Sequence, residues 1–185
     1  MSLLNILAIS GSLRTASYNR KALQVAKRIA SDLGASVTEI DLRDLNLPVY
    51  DQDIQDKGLP ESVQKLKTAI EAAEVLLIAS PEYNYSIPGG LKNAIDWASR
   101  GGNSFKGKVA AVFGMSNGRM GTVRGQEHIR EILFGLSVFV AHRPLVYIGP
   151  APDVFNPDWT FKDPQTAEKL KELIQNALAL AQKLK

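Results

Sequence analysis

The chain has 185 residues, 45% hydrophobic and 22% charged, the values of an ordinary globular protein, which exclude a disordered or fibrous chain. Lys and Arg number 22 against 19 Asp and Glu, a net charge of +3 that is too small to imply nucleic-acid binding unless it is concentrated in one place. The absence of cysteine excludes disulfides, thiol nucleophiles and thiolate metal sites, and two distant histidines do not make a His-rich metal cage.

The length predicts one domain, residues 1–185, able to bury about 70% of its unfolded surface. Its longest apolar runs, such as Val75 to Ala79, fall far short of the ~20 residues a membrane span needs. Residues 1–10 are apolar but lack a basic leader and a small-residue cleavage site, so no signal peptide is read and the cytoplasm is the expected location.

In chain order, residues 3–9 predict a strand, bounded by Ser10-Gly11-Ser12. Ala22, Val25, Ala26, Ile29 and Leu33 then recur at helical spacing, with Gly34 as the stop. Val37, Ile40 and Leu42 mark a second extended piece. Val63, Leu66, Ile70 and Ala73 mark a helix, and residues 75–80 a third strand. Leu91, Ala94, Ile95 and Ala98 form the next helical stripe, closed by Gly101-Gly102. Residues 108–115 predict a strand, and Ile129, Ile132, Leu133 and Leu136 a helix. The last strand falls in residues 139–140 or 145–148, and Leu170, Leu173, Ile174, Ala177 and Ala181 give a closing amphipathic helix.

Strands this continuously apolar belong to a parallel sheet covered on both faces. The expected fold is therefore α/β, a three-layer sandwich with a five-stranded parallel sheet in the flavodoxin-like order 2-1-3-4-5, whose ligands sit beyond the carboxyl ends of the strands. Two segments, residues 43–59 and 149–163, exceed what a connection needs, and long loops are often functional.

The loop after the first strand reads Ser10-Gly11-Ser12-Leu13-Arg14-Thr15-Ala16-Ser17-Tyr18-Asn19-Arg20-Lys21. A helix N-terminus favours acids. Here no acid occurs before Asp32, while Arg14, Arg20 and Lys21 crowd the helix start. Those bases are unfavourable by a few tenths of a kcal/mol each, whereas a bound phosphate accepts charge-assisted hydrogen bonds of roughly 1.5–3 kcal/mol each. The alternative is a solvated basic surface with Ser17 as an ordinary N-cap. The loop lacks the Gly-x-x-x-x-Gly-Lys and Gly-x-Gly-x-x-Gly patterns, and its hydroxyls with one arginine suit a terminal monoester phosphate. Asp41 reads as a surface carboxylate.

After the third strand, Pro81-Glu82-Tyr83-Asn84-Tyr85-Ser86-Ile87-Pro88-Gly89-Gly90 offers two stiffening prolines, flat tyrosines and exposed amides, with Asn84 placed to donate to a planar heterocycle; the alternative is a rigid turn whose tyrosines only pack. After the fourth, Ser116-Asn117-Gly118-Arg119-Met120-Gly121-Thr122 is glycine-rich, as a close backbone approach to a ligand requires. All three loops leave the same sheet edge. One phosphate-bearing planar ligand spanning them, flavin mononucleotide (FMN), is the economical reading.

These loops together resemble the NADPH-dependent FMN reductase family, which includes related quinone, chromate and azo-dye reductases. Gly11-Ser12-Leu13-Arg14 with Ser17 and Asn19 is similar to its opening signature. Pro81-Glu82-Tyr83-Asn84 with Ser86, Pro88-Gly89 and residues 91–97 is similar to its second, and the resemblance covers residues 3–148. The third loop departs: Asn117 and Thr122 stand where many relatives have Pro and Gly. The resemblance implies that Ser10, Ser12, Arg14, Ser17 and Asn19 hold the phosphate, and that Pro81, Glu82, Tyr83, Asn84, Ser116, Asn117 and Gly118 border the isoalloxazine. It also implies a homodimer or homotetramer.

The expected activity is reduction of FMN by NADPH or NADH, then of a small acceptor such as a quinone or a flavin. No side-chain acid or base is obligatory for that step, so no catalytic residue and no metal ligand are assigned; Arg119, Arg124 and Tyr50 are open as contacts for the nicotinamide nucleotide or acceptor. The other reading is a flavodoxin-like electron carrier without its own small-molecule substrate; such carriers tend to be acidic, and the pI here is about 9.1. A phosphate-responsive signalling module would need acids where the first strand ends in Ser10. Asp51-x-Asp53-x-x-Asp56 lacks the Glu of a calcium loop at its twelfth position, Ser62, and reads as a solvated acidic loop.

Overall fold

In the computed structural model, which describes residues 3–185, the chain runs β1 (Asn5–Ser10), α1 (Tyr18–Asp32), β2 (Ser36–Ile40), α2 (Leu42–Leu45), α3 (Gln52–Gln55), α4 (Glu61–Glu71), β3 (Val75–Ala79), α5 (Gly89–Ala98), β4 (Val109–Met115), α6 (Val123–Gly135), β5 (Phe139–Val140), β6 (Val146–Ile148) and α7 (Pro164–Lys183). Met1 and Ser2 of the apolar stretch 1–10 lie outside the described residues.

Successive residues of a strand point to opposite faces, and this alternation divides the core. Ile6 and Ala8 of β1, Val75 and Leu77 of β3, and Val109, Ala111 and Phe113 of β4 pack beneath α1 and α7. Leu7, Ile9, Leu76, Ile78, Ala110 and Val112 face the other way, against α4, α5 and α6. The central strands β1, β3 and β4 are apolar because both faces are covered; β2, at the edge, carries exposed Thr38 and Glu39.

The strands are parallel in the order β2-β1-β3-β4-β5, as expected, but the fifth strand is not one piece. β5 pairs with Val109 and Ala110, and β6 with Phe113, Gly114 and Met115, so both sequence candidates lie along β4. Pro144 between them has no N–H to donate to a ladder. Side chains of α6 occupy the break: Arg130 Nη1 donates to the Ala141 carbonyl (3.0 Å) and Gln126 Nε2 to that of Val146 (2.9 Å).

The two long segments are tied down. In residues 43–59 the Pro48 carbonyl accepts from Asn93 Nδ2 and from Trp97 Nε1 (both 2.8 Å), which pins the segment on α5. Tyr50 belongs to that packing, its ring edge-on to Trp97 at 5.0 Å. The acids 51–56 serve locally: Asp51 caps α3 by accepting from the Asp53 N–H (2.8 Å), and Asp56 accepts from Gln52 (2.7 Å). In residues 149–163 a bridge joins Phe155 to Phe161, and Trp159 lies under the Lys21 ammonium, 3.6 Å from the ring centroid.

Candidate active site

Ser10 pairs with Ala79, and Ala79 with Phe113, so β1 and β3 end together, β4 runs two residues further, and their following loops meet at one edge. Gly11 lets the first loop close on the second: a Cβ there would meet Leu91 Cδ2 at 3.0 Å and Ser80 Oγ at 3.3 Å. Between the loops and the start of α1 lies a cleft of about 380 Å³.

The first loop is curled by its own serines. Ser10 Oγ accepts from the Ser12 N–H (3.3 Å), Ser12 Oγ from that of Arg14 (3.3 Å), and Ser17 Oγ from that of Asn19 (3.1 Å). Each hydroxyl keeps its own proton for another acceptor. Ser17 is thus the N-cap of α1, and the capping and ligand readings are compatible. Ser12 and Ser17 line the cleft; Ser10 lies behind and supports them.

Arg14 lines the cleft, exposed, and its Nη2 donates only to the Ala16 carbonyl (2.7 Å). Among the described residues no carboxylate pairs with it. Arg20 differs: it is ion-paired with Asp41, and Asp41 also caps α2. Arg43 reaches back to the first loop, donating to the Leu13 carbonyl and to Thr15 Oγ1. Nothing local in sequence signals that contact across 28 and 30 positions.

Asn19 is buried with both ends of its amide occupied: Nδ2 donates to the Met115 carbonyl (2.9 Å) and Oδ1 accepts from the Met115 N–H (2.8 Å). The side chain is a strut between α1 and the end of β4, and Asn19 also lines the cleft. Tyr18 and Met115 line the cleft too, and sequence reasoning passed over both. Tyr18 sits within the signature between Ser17 and Asn19; Met115 carries no signal beyond its place at a strand end.

In the second loop Pro81, Glu82 and Tyr83 line the cleft and Asn84 does not. Asn84 (φ 50°) and Tyr85 (φ 64°) are left-handed, forming the tight turn closed by reciprocal hydrogen bonds between Tyr83 and Ser86. Three contacts dock this loop on α6: Glu82 Oε2 accepts from the Gly125 N–H (2.9 Å), Ser86 Oγ lies 3.0 Å from His128 Nδ1, and Arg124 stands 4.4 Å from the Tyr85 ring centroid. The Glu82 carboxylate is therefore held at the positive end of a helix dipole. Arg124 and Tyr85 are engaged with each other.

In the third loop Ser116 and Asn117 line the cleft, and Gly118 does not. Gly121 answers to packing: it has φ 58°, and a Cβ on it would sit 2.9 Å from the Ile148 nitrogen. Close approach of β6, rather than of a ligand, explains that residue.

The lining fits an FMN phosphate end. At that end it contains the hydroxyls of Ser12 and Ser17, an unpaired guanidinium and the start of a 15-residue helix. Its one carboxylate is turned onto α6, and Pro81, Tyr83 and Met115 supply an apolar wall.

The comparisons agree with this geometry. The family profile described as NADPH-dependent FMN reductase matches residues 4–153. An NAD(P)H-dependent FMN reductase of Pseudomonas aeruginosa is 44% identical over 180 residues, covering 97% of this chain and 94% of that one. A quinone reductase of Escherichia coli is 36% identical over 172 residues, covering 91% and 86%. The structure of FerB, a flavoenzyme NAD(P)H:(acceptor) oxidoreductase from Paracoccus denitrificans, superposes with a TM-score of 0.87 at 34% identity over 98% of both chains. With the serine-curled loop, the unpaired Arg14 and a match through all three loops, the chain belongs to the NADPH-dependent FMN reductase family.

Proposed function

We propose that this protein is an NAD(P)H-dependent FMN-containing oxidoreductase that reduces quinones, flavins or similar small acceptors. The observation that carries the reading is the anion end of the cleft: Arg14 without a carboxylate partner, beside Ser12 and Ser17 at the start of α1. FMN, which Arg14, Ser12 and Ser17 would hold by its phosphate, would supply the hydride- and electron-transfer chemistry between NAD(P)H and the acceptor.

The chain's own residues bind and orient. Arg14 and the hydroxyl protons of Ser12 and Ser17 hold the phosphate, with Ser10 and Arg43 keeping the loop curled around it. Asn19 locks this loop to β4, so the phosphate seat and the wall at Met115, Ser116 and Asn117 keep a fixed separation. Pro81, Glu82 and Tyr83 form the opposite wall, held by the Glu82 contact to Gly125; Asn84 and Gly118 shape the turns that carry these walls. A donor and acceptor must approach to about 3–3.5 Å for hydride transfer, and a rigid wall serves that better than any acid or base.

The whole chain acts as one FMN-binding unit that assembles as a homodimer or homotetramer in the cytoplasm. Among the described residues no helix is long and apolar enough to cross a membrane. The test is direct. Purified protein is yellow or becomes yellow with FMN, and it oxidises NADPH or NADH in the presence of a quinone. Bound FMN with no turnover would favour the electron carrier, and failure to bind FMN would end the proposal.

A further inference from the structure

The cleft wall after β4 holds a reactive pair. Asn117-Gly118 is the one place in the sequence where glycine follows asparagine. Both residues are exposed in a bend between β4 and α6, and Asn117 lines the cleft. Among the described residues Asn117 makes no hydrogen bond through its side chain or its backbone. The other asparagines are held or hindered. Asn19, Asn93, Asn103, Asn156 and Asn176 each give Nδ2 to an acceptor at 2.8–2.9 Å. Asn5, Asn46 and Asn84 precede Ile, Leu and Tyr, whose side chains shield the next backbone nitrogen.

Gly118 leaves its nitrogen open. A Cβ there would meet only Ser116 Oγ, at 3.6 Å, so no neighbour crowds the residue and alanine fits the same turn. Its N–H donates to that hydroxyl (3.2 Å), so the proton it must lose for any reaction already has an acceptor.

We propose that Asn117 and Gly118 form a self-modifying site in the cleft wall. The Gly118 nitrogen loses its proton and attacks Asn117 Cγ. A C–N bond forms there, and the bond to Nδ2 breaks as ammonia leaves with that proton. Water then opens the resulting cyclic imide at either carbonyl, giving aspartate or, with a methylene added to the main chain, isoaspartate. Nothing is oxidised or reduced. Either product puts a carboxylate where an amide stood, and such a change acts through ordinary electrostatics. The lining's other acid, Glu82, is tied to the Gly125 N–H, so the new carboxylate is the cleft's free acid and opposes a phosphate dianion. Bound FMN covers the pair and spares it, a consequence that rests on the flavin reading; the modification itself rests on the loop alone. The empty protein thus ages into a form that takes up FMN poorly, and the loaded protein does not.

The experiment incubates the protein for several days at mildly acidic and mildly alkaline pH, as purified, depleted of flavin by dialysis, and with FMN at about a hundred times its Kd. Circular dichroism follows folding. Mass spectrometry and an isoaspartate assay read the tryptic peptide 109–119, released by cleavage after Lys108 and Arg119. The flavin-depleted protein accumulates both products, faster at alkaline pH because the attacking nitrogen must be deprotonated. Excess FMN slows this by about tenfold or more, and Gly118→Ala slows it comparably with the fold retained. Asn117→Asp, a copy of one product, weakens FMN by about threefold or more and riboflavin less, since only FMN carries the phosphate.

An intact Asn117 in the folded chain, while the free peptide 109–119 reacts, would overturn the proposal, and so would an unchanged rate in Gly118→Ala. Reaction at an undiminished rate with FMN bound, as seen by its absorbance, would overturn the link to the cleft. Failure of FMN to bind ends the flavin reading, whereas product in the same sample still upholds the modification.

Discussion

Arg14 in the first loop and Asn19 in the first turn of α1 lie five positions apart and do different work. Arg14 is exposed at the cleft with no carboxylate partner, whereas Asn19 is buried with its amide taken by Met115. Arg14→Ala should weaken FMN by roughly tenfold to a hundredfold, the loss of a charge-assisted hydrogen bond. Riboflavin, which lacks the phosphate, should be affected far less in a fluorescence titration, and equal losses would remove Arg14 from the phosphate seat. Asn19→Ala leaves a buried N–H and carbonyl unpaired and should cost about 2–4 kcal/mol of stability in urea denaturation. A variant that folds normally but binds FMN poorly would make Asn19 a direct ligand instead.

While α1, α2 and α3 carry local N-caps, one end each of α5 and α6 is completed by a residue from elsewhere in the chain. The N-cap Thr122 of α6 makes no side-chain cap bond, and Glu82 from the loop after β3 supplies an acceptor to Gly125 instead. The C-terminal end of α5 and the turn beyond it are closed by Lys67 of α4, whose buried ammonium donates to the carbonyls of Ala98 (3.1 Å), Arg100 (2.9 Å) and Gly102 (2.6 Å). Burial, opposed by Glu71, lowers the Lys67 pKa; the carbonyls orient the charge at the negative end of the helix dipole. Lys67→Met keeps the stem but strands these acceptors, and should cost about 2–4 kcal/mol. A melting temperature unchanged by the substitution would show that water replaces the ammonium without penalty. Because α5 follows directly on the second cleft loop, the same variant should also loosen FMN binding.

Across the whole molecule, Glu74 joins distant parts of the chain just before β3. Its carboxylate accepts from the Asn5 N–H at the start of β1 (2.8 Å) and pairs with Lys185 at 3.0 Å. Partial burial raises its pKa, but those two partners more than offset that and hold it below the ordinary value of 4.5. A carboxyl depressed in the folded state contributes stability that is full above the ordinary carboxylate pKa and is lost as pH falls through the folded value. Denaturation free energy should therefore decline on acidification below about 4.5, and Glu74→Gln should flatten that decline. An unchanged acid slope in the variant would show that other carboxylates carry it.

Local sequence determined the alternation of strands and helices, the parallel sheet and the basic, hydroxyl-rich loop before α1, because periodicity and helix-end chemistry are written within a few residues of one another. The edge strand's fate was not local: β5 and β6 were both visible as apolar fragments, but their joint pairing with β4 depends on Gln126 and Arg130 reaching the break from α6. Which signature residues face the cleft was likewise a tertiary outcome. Ser10 and Ser12 are two residues apart, yet only Ser12 lines it. Arg20 is engaged by Asp41, and Arg43 joined the loop, through contacts between residues more than twenty positions apart. Side-chain charge is a property of sequence, but whether that charge remains available to a ligand depends on which neighbours folding brings to it.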